Sequence, residues 1–165
     1  MIALWHRLPR DFEEQLDIIG TRAEAYHFDD GHDDVLRAAD ALEAMELRGV
    51  FFVISGRIDE PGWVSSGQLR ELVSRGHEVG NHTRTHPLMP ELTAEEQRIE
   101  IASAQMDLSW LLGVHPQRFA WPHGRHDETS DEIAARFGFV EVRDISNVVR
   151  RIAQKDRWDL RYLFP

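Results

Sequence analysis

The chain contains no cysteine. Disulfides and thiolate metal sites are therefore excluded, and any bound metal must take its ligands from His, Asp, Glu or water. It also lacks any apolar stretch near the roughly 20 residues that span a bilayer. The opening "MIALWHRLPR" has a short apolar run broken by His6 and Arg7, not the h-region of a secretory signal. Positive charge is scarce as well: 19 Lys and Arg stand against 29 Asp and Glu, a net charge of −10. Such a chain does not attract nucleic acid or an anionic membrane surface. Repeats, low-complexity tracts and long linkers are absent. These absences predict a soluble cytoplasmic chain with no nucleic-acid partner and no membrane span. Its 165 residues predict a single domain, 1–165. A domain of that size buries roughly 70% of its unfolded surface and needs no covalent staples.

What is present is an alternation of short apolar runs and amphipathic segments. Met1–His6 reads as a strand, and Phe12–Ile19 as a helix with Phe12, Leu16 and Ile19 on one face. Ala25–Phe28 reads as a strand. A helix follows from an Asp33 or Asp34 cap to Gly49, burying Leu36, Ala39 and Leu42. "VFFVIS" at Val50–Ser55 is a continuous apolar run, as in strands covered on both faces of a parallel sheet. Gln68–Arg75 reads as a helix and "HEVGNH" as the next strand. Thr93 and Glu96 form a capping-box signature for a helix to Leu112, with Ile99, Ala102, Met106 and Trp110 as its inner stripe and Gly113 closing it. "RFAWP", a helix over Glu128–Phe137, "FVEV" and "WDLRYLF" complete the series. The pattern predicts an α/β fold with a mostly parallel sheet.

In such folds ligands gather at the carboxyl ends of the strands. Those positions carry His6, then Asp29 and Asp30, then Asn81, His82 and His86, then Pro122, His123 and Gly124. Two imidazoles and one carboxylate leave open positions on a divalent metal, which suits zinc, or an iron- or cobalt-like ion in a more open geometry. Either of the adjacent aspartates could be the ligand, because neighbouring side chains on extended chain diverge. The remaining polar residues have plainer readings: Asp33 or Asp34 as a helix cap, His77 as a surface strand residue, and His115 and His126 as loop residues.

"HFDDG", "GHEVGNHTRTH" and "FAWPHG" resemble the first three motifs of polysaccharide deacetylases, the NodB-like carbohydrate esterases of family four. The resemblance runs from about Ala25 to Val142. It implies a distorted, incomplete (β/α) barrel of the NodB type and a metal-dependent hydrolase. Its substrate would be an acetylated amino sugar or oligosaccharide that loses N-acetyl or O-acetyl groups. Carried over residue by residue, it implies Asp29 as general base and Asp30, His82 and His86 as metal ligands. Thr83, Trp121, Pro122 and His123 become the substrate-binding set, with the His123 backbone N–H for the oxyanion. Trp63 and Phe52 are further candidates for pocket walls. Zinc is the first choice of metal, with cobalt, nickel, manganese or iron as alternatives.

The sequence departs from the family pattern in four places. His27 stands where Thr is usual, and His32 where Pro is usual. Ala120 stands where an Arg usually braces the base. No His follows His126, so the usual late general acid is missing. Trp5-His6 resembles the opening of a circularly permuted branch, which implies His6 as the general acid. Two other readings compete: a deformylase or deacetylase of a small sugar or antibiotic intermediate, and a non-catalytic carbohydrate-binding protein.

Overall fold

The structure, a computed structural model, describes residues 2–144 and 149–151. Seven strands follow one another across a single sheet: β1 (Ile2–Trp5), β2 (Ala25–Phe28), β3 (Val50–Val53), β4 (Glu78–Asn81), β5 (Arg118–Ala120), β6 (Glu141–Arg143) and β7 (Val149–Arg151). The first six run parallel, and β7 pairs antiparallel with β6. Among the described residues, five α-helices lie between them: α1 (Phe12–Ile19), α2 (Val35–Ala44), α3 (Ser66–Ser74), α4 (Ala94–Leu112) and α5 (Glu128–Arg136). The six parallel strands curl into a half-barrel, so residues from β1 and β6 reach the same cavity. This is the α/β barrel expected from the sequence. The expected strand "WDLRYLF" lies outside the described residues.

Strand periodicity sorts the side chains. Tyr26, Phe28, Phe51, Val53 and Val79 pack outward against Ala38, Ala39, Leu42, Leu69 and Leu72 of the helices. The alternate residues Val50, Phe52 and Ala120 form a separate cluster on the concave side. Gly80 makes room for it: a Cβ there would lie 2.5 Å from the Phe52 ring. A second outward core joins α4, α5, β5 and β6 through Ile101, Phe119, Ile133, Phe139 and Val142.

Three local expectations are corrected. The inner stripe of α4 is not Ile99, Ala102, Met106 and Trp110: only Ala102 is buried, while Ile99, Met106 and Trp110 are 47%, 44% and 86% exposed. The helix instead buries Gln97, Ile101, Ala104, Gln105 and Leu108. Its two glutamines are satisfied inside, Gln97 by the Ser130 hydroxyl (2.8 Å) and Gln105 by Asn81 and the Pro116 carbonyl (2.9 and 2.7 Å). Gly49 does not cap α2, which ends at Ala44. It is needed because a Cβ would lie 2.8 Å from Leu42 and 3.0 Å from Phe28. His77 is buried, not on the surface. The capping box at Thr93 and Glu96 and the left-handed Gly113 (φ 69°) are as expected.

Candidate active site

The carboxyl edge of the sheet holds a cavity of about 480 Å³, lined by Leu4, His6, Asp29, Asp30, His82, His86, Trp121, His123, Gly124 and Arg143. Each strand delivers its residue through the turn that follows it. β2 runs on to Asp29, whose N–H donates to the Trp5 carbonyl (2.8 Å) and prolongs the ladder with β1. The chain then reverses at Asp30 (φ 72°) and Gly31 (φ 81°). Asp34 sits at the N-cap of α2 but makes no side-chain bond to the helix. Its carboxylate accepts instead from the Leu8 N–H (2.9 Å), tying the turn after β1 to this loop.

After β4 the loop from His82 to His86 is pinned from several sides. Asn81 Oδ1 accepts from the Thr83 N–H (2.8 Å), and Thr83 Oγ1 accepts from the His86 N–H (3.1 Å). Glu100 of α4 accepts from the backbone N–H groups of Arg84 and Thr85 (3.0 and 2.8 Å) and from the Thr85 hydroxyl (2.8 Å). Asp30, Thr83, His86 and His123 account for four of the six non-glycine residues at positive φ among the described residues. Each such residue costs about 1–3 kcal/mol and persists only where its surroundings over-determine it. Backbone strain is thus concentrated around this cavity.

Asp30, His82 and His86 bring their ligand atoms within 4.8 Å of one another. Both imidazole Nε2 atoms lie 3.5 Å from Asp30 Oδ1. That oxygen is buried without a hydrogen-bond partner. His82 Nδ1 sits 2.8 Å from the Ala120 carbonyl, which can only accept, so Nδ1 carries the proton. The Nε2 lone pair is left facing the cluster, as in histidines that bind metals. Burial pushes His86 down to about 4, so its imidazole is neutral at physiological pH. Burial works to raise the Asp30 carboxyl, but the contact with His82, reinforced by His86 and His6, outweighs it and lowers it. Neutral imidazoles and an ionised carboxylate fit a divalent cation.

Asp29 is buried beside this cluster. Its Oδ2 accepts from the Arg143 guanidinium at the end of β6, and its Oδ1 has no partner. An Arg does therefore brace this aspartate, although Ala120 holds the position where one was expected. Arg143 comes one strand later and lies over the Phe52 ring (5.3 Å). The strand-end rule that picked out the other residues would also have found it, directly after "FVEV". His6 Nε2 stands 3.9 Å from Asp29 Oδ2, on a side chain that is 62% exposed.

The other expected residues divide. Trp121 and His123 line the cavity, whereas Thr83 and Pro122 are buried outside its lining. Thr83 serves as a loop brace through its hydroxyl. Trp63 and Phe52 do not line the cavity either. Trp63 stacks on His32 (4.7 Å), and Phe52 belongs to the concave core. Trp121 stacks on His126 (5.4 Å), whose Nδ1 lies 2.8 Å from Asp131. His27 is fully buried against Phe52 (5.1 Å), with neither ring nitrogen partnered. Burial, helped by the charge of Arg143, pushes it down to about 4.

The chain thus places an Asp-His-His cluster and an arginine-braced aspartate at the carboxyl edge of a half-barrel, and the comparison with known proteins says which family has this fold. The model described as polysaccharide deacetylase matches residues 21–142, and the chain belongs to that family. A chitooligosaccharide deacetylase of Bradyrhizobium sp. is 35% identical over 133 residues, covering 76% of this chain and 57% of that protein. Chitin deacetylase 1 of Cryptococcus neoformans var. grubii is 32% identical over 104 residues, 62% of this chain and 21% of that protein. The chain thus spans at most 57% of the length of the curated relatives described here. Among solved structures, IcaB from Ammonifex degensii superposes with a TM-score of 0.67 at 27% identity, over 90% of this chain and 72% of that one. The Streptococcus pyogenes deacetylase PplD, solved with acetate, has the same fold (TM-score 0.67, 22% identity, 82% of this chain and 63% of that one). No helix among the described residues is long and apolar enough to cross a membrane.

Proposed function

We propose that this chain is a metal-dependent hydrolase that removes acetyl groups from an acetylated amino-sugar oligomer. One observation carries the reading. The open Nε2 of His82, the Nε2 of His86 and the orphaned Oδ1 of Asp30 converge beside a buried aspartate that is held by an arginine. Asp30, His82 and His86 would hold the metal. A divalent ion there, zinc by preference, supplies Lewis-acid activation of water and of a carbonyl oxygen.

The chain's own residues do the rest. Asp29 takes the proton from the attacking water on Oδ1, the oxygen that Arg143 leaves free. Arg143 fixes the carboxylate plane. The backbone N–H of His123 donates to the developing oxyanion, and a donor of this kind is worth roughly 3 kcal/mol. His6, at the exposed mouth, hands a proton to the departing amine. Trp121 offers an apolar wall for a sugar ring. The name of the Bradyrhizobium relative supports an acetylated amino-sugar oligomer over a monomeric intermediate. A non-catalytic carbohydrate binder would have no use for a buried, arginine-braced Asp29 beside the metal ligands.

The test is metal analysis of protein purified without chelator, paired with acetate release from N-acetylated chitooligosaccharides. Stoichiometric zinc or a similar divalent ion, and acetate release that stops with chelator and returns with metal, are expected. Asp30→Ala should lose metal and activity together. Chelator-insensitive acetate release, or full metal stoichiometry in that variant, overturns the reading.

A further inference from the structure

His32 has no role in the reaction just described, yet it stands beside one of the residues proposed to hold the metal. We infer that His32 is a positioning residue for Asp30, and that Arg7 sets its tautomer; this rests on the metal reading above. The two oxygens of Asp30 face different neighbours. Oδ1 faces His82 and His86 at 3.5 Å, whereas Oδ2 faces His32 Nε2 at 3.9 Å. His32 does not belong to the group whose ligand atoms lie within 4.8 Å of one another, so it is no fourth ligand. It meets the carboxylate oxygen that His82 and His86 do not face.

Hydrogen-bond chemistry fixes which nitrogen of His32 carries the proton. Arg7 Nη2 lies 3.3 Å from His32 Nδ1. A guanidinium has donors only, so Nδ1 accepts. The neutral ring therefore carries its proton on Nε2, the atom that faces Asp30 Oδ2. The 3.9 Å separation is too long for a closed hydrogen bond, so His32 Nε2 faces Oδ2 without bonding it in this structure.

The ring itself is held in place. It stacks on Trp63 at 4.7 Å with planes 29° apart, and the two residues are also joined by a backbone bridge. Arg57 lies over the same indole at 5.3 Å. An imidazole N–H aimed at the far oxygen of a ligating carboxylate orients that carboxylate, and loss of such outer partners typically weakens metal binding about 10–100-fold. Arg7 comes from the turn after β1, so the arrangement also ties that turn to the cluster.

The experiment measures zinc affinity of the full chain by competition with a chromophoric chelator. His32→Phe keeps a ring on Trp63 and removes the N–H, and should weaken zinc binding about tenfold or more. Arg7→Met should weaken it less, and Arg7→Lys, which keeps a donor, should restore it. The double variant should bind no more weakly than His32→Phe alone, because Arg7 acts through His32. Simple electrostatics predicts the opposite sign for Arg7→Met, since removing a nearby cation favours a bound cation. Unchanged affinity in His32→Phe, tighter binding in Arg7→Met, or additive losses would each overturn the inference. Arg7 is exposed, so its variants decide the matter even if His32→Phe folds poorly. His82→Ala run alongside separates the two readings. If it keeps its metal, the metal site itself falls; if it loses metal while His32→Phe does not, only the role of His32 falls.

Discussion

His77 and His82 bracket the same short strand, β4, and both are buried. Their nitrogens are used differently. His77 Nδ1 accepts from the Gly49 N–H (3.1 Å), and its Nε2 stands 3.0 Å from Glu43. Both nitrogens are consumed, and the residue fastens α2 and β3 to the amino edge of the sheet. His82 spends only Nδ1, on the Ala120 carbonyl, and leaves Nε2 open toward Asp30. A buried histidine with two protein partners is structure; one with a single partner and a carboxylate facing its open nitrogen has capacity to spare. The same contrast separates the two edges of the sheet. The amino edge is closed by reciprocal bonds, whereas the carboxyl edge keeps open Asp30 Oδ1, Asp29 Oδ1 and Arg143 Nε.

The sharpest way to break this comparison is to truncate both histidines. His82→Ala should abolish stoichiometric metal and acetate release together. His77→Ala should leave metal affinity within about twofold and lower stability by roughly 3 kcal/mol, from a cavity and an orphaned Gly49 N–H. For a domain of this length that is a melting temperature lower by about 6–12 °C. Metal loss in His77→Ala would erase the distinction between the edges.

The next largest effect belongs to Arg143. Breaking a buried pair by removing one partner leaves an uncompensated charge and costs about 3–5 kcal/mol. Arg143→Met should therefore destabilise the protein by that amount and cut turnover roughly 100-fold with metal still bound. Adding Asp29→Asn should recover part of the stability and none of the activity. Turnover near wild type in Arg143→Met would reduce the arginine to a packing role.

Much of this site was legible because the chemistry follows the strands. Once "VFFVIS" and "HEVGNH" read as strands, the polar residues at their ends had to share one edge. That placed His6, Asp29, Asp30, His82, His86 and His123 around one cavity. Arg143 was not legible because it lies outside the motif where such a brace is usual; the curl of the sheet brings β6 back to the end of β2. The buried face of α4 escaped for a different reason. Its helix is apolar on more than one side, and the side that goes inward is chosen by Gln97 and Gln105, whose partners come from distant elements. His77 escaped because its partners, Gly49 and Glu43, lie about 30 residues upstream. Periodicity reports which residues share a face; it does not report which polar groups find partners when that face is buried.

His27 sharpens the comparison in a third way, through pH. It is buried on the concave side with neither nitrogen partnered, and burial with the charge of Arg143 pushes it down to about 4 from the usual 6.5. A histidine depressed in this way is neutral in the folded state while the unfolded chain takes up a proton. Above pH 6.5 both states are neutral and the effect is nil. As pH falls from 6.5 toward 4 the unfolded state binds more protons, so stability declines, by up to roughly 3 kcal/mol for this one group. His86, also at about 4, contributes over the same window, so removing His27 reduces the slope without abolishing it. Denaturant unfolding of metal-free wild type and His27→Leu at pH 7, 5.5 and 4.5 should show the variant losing less stability on acidification. At pH 7 the variant should match or exceed wild type, because a leucine brings no unpartnered nitrogen into the core. Parallel curves would mean that His27 finds its hydrogen bonds in solution and belongs with His77 among the satisfied histidines.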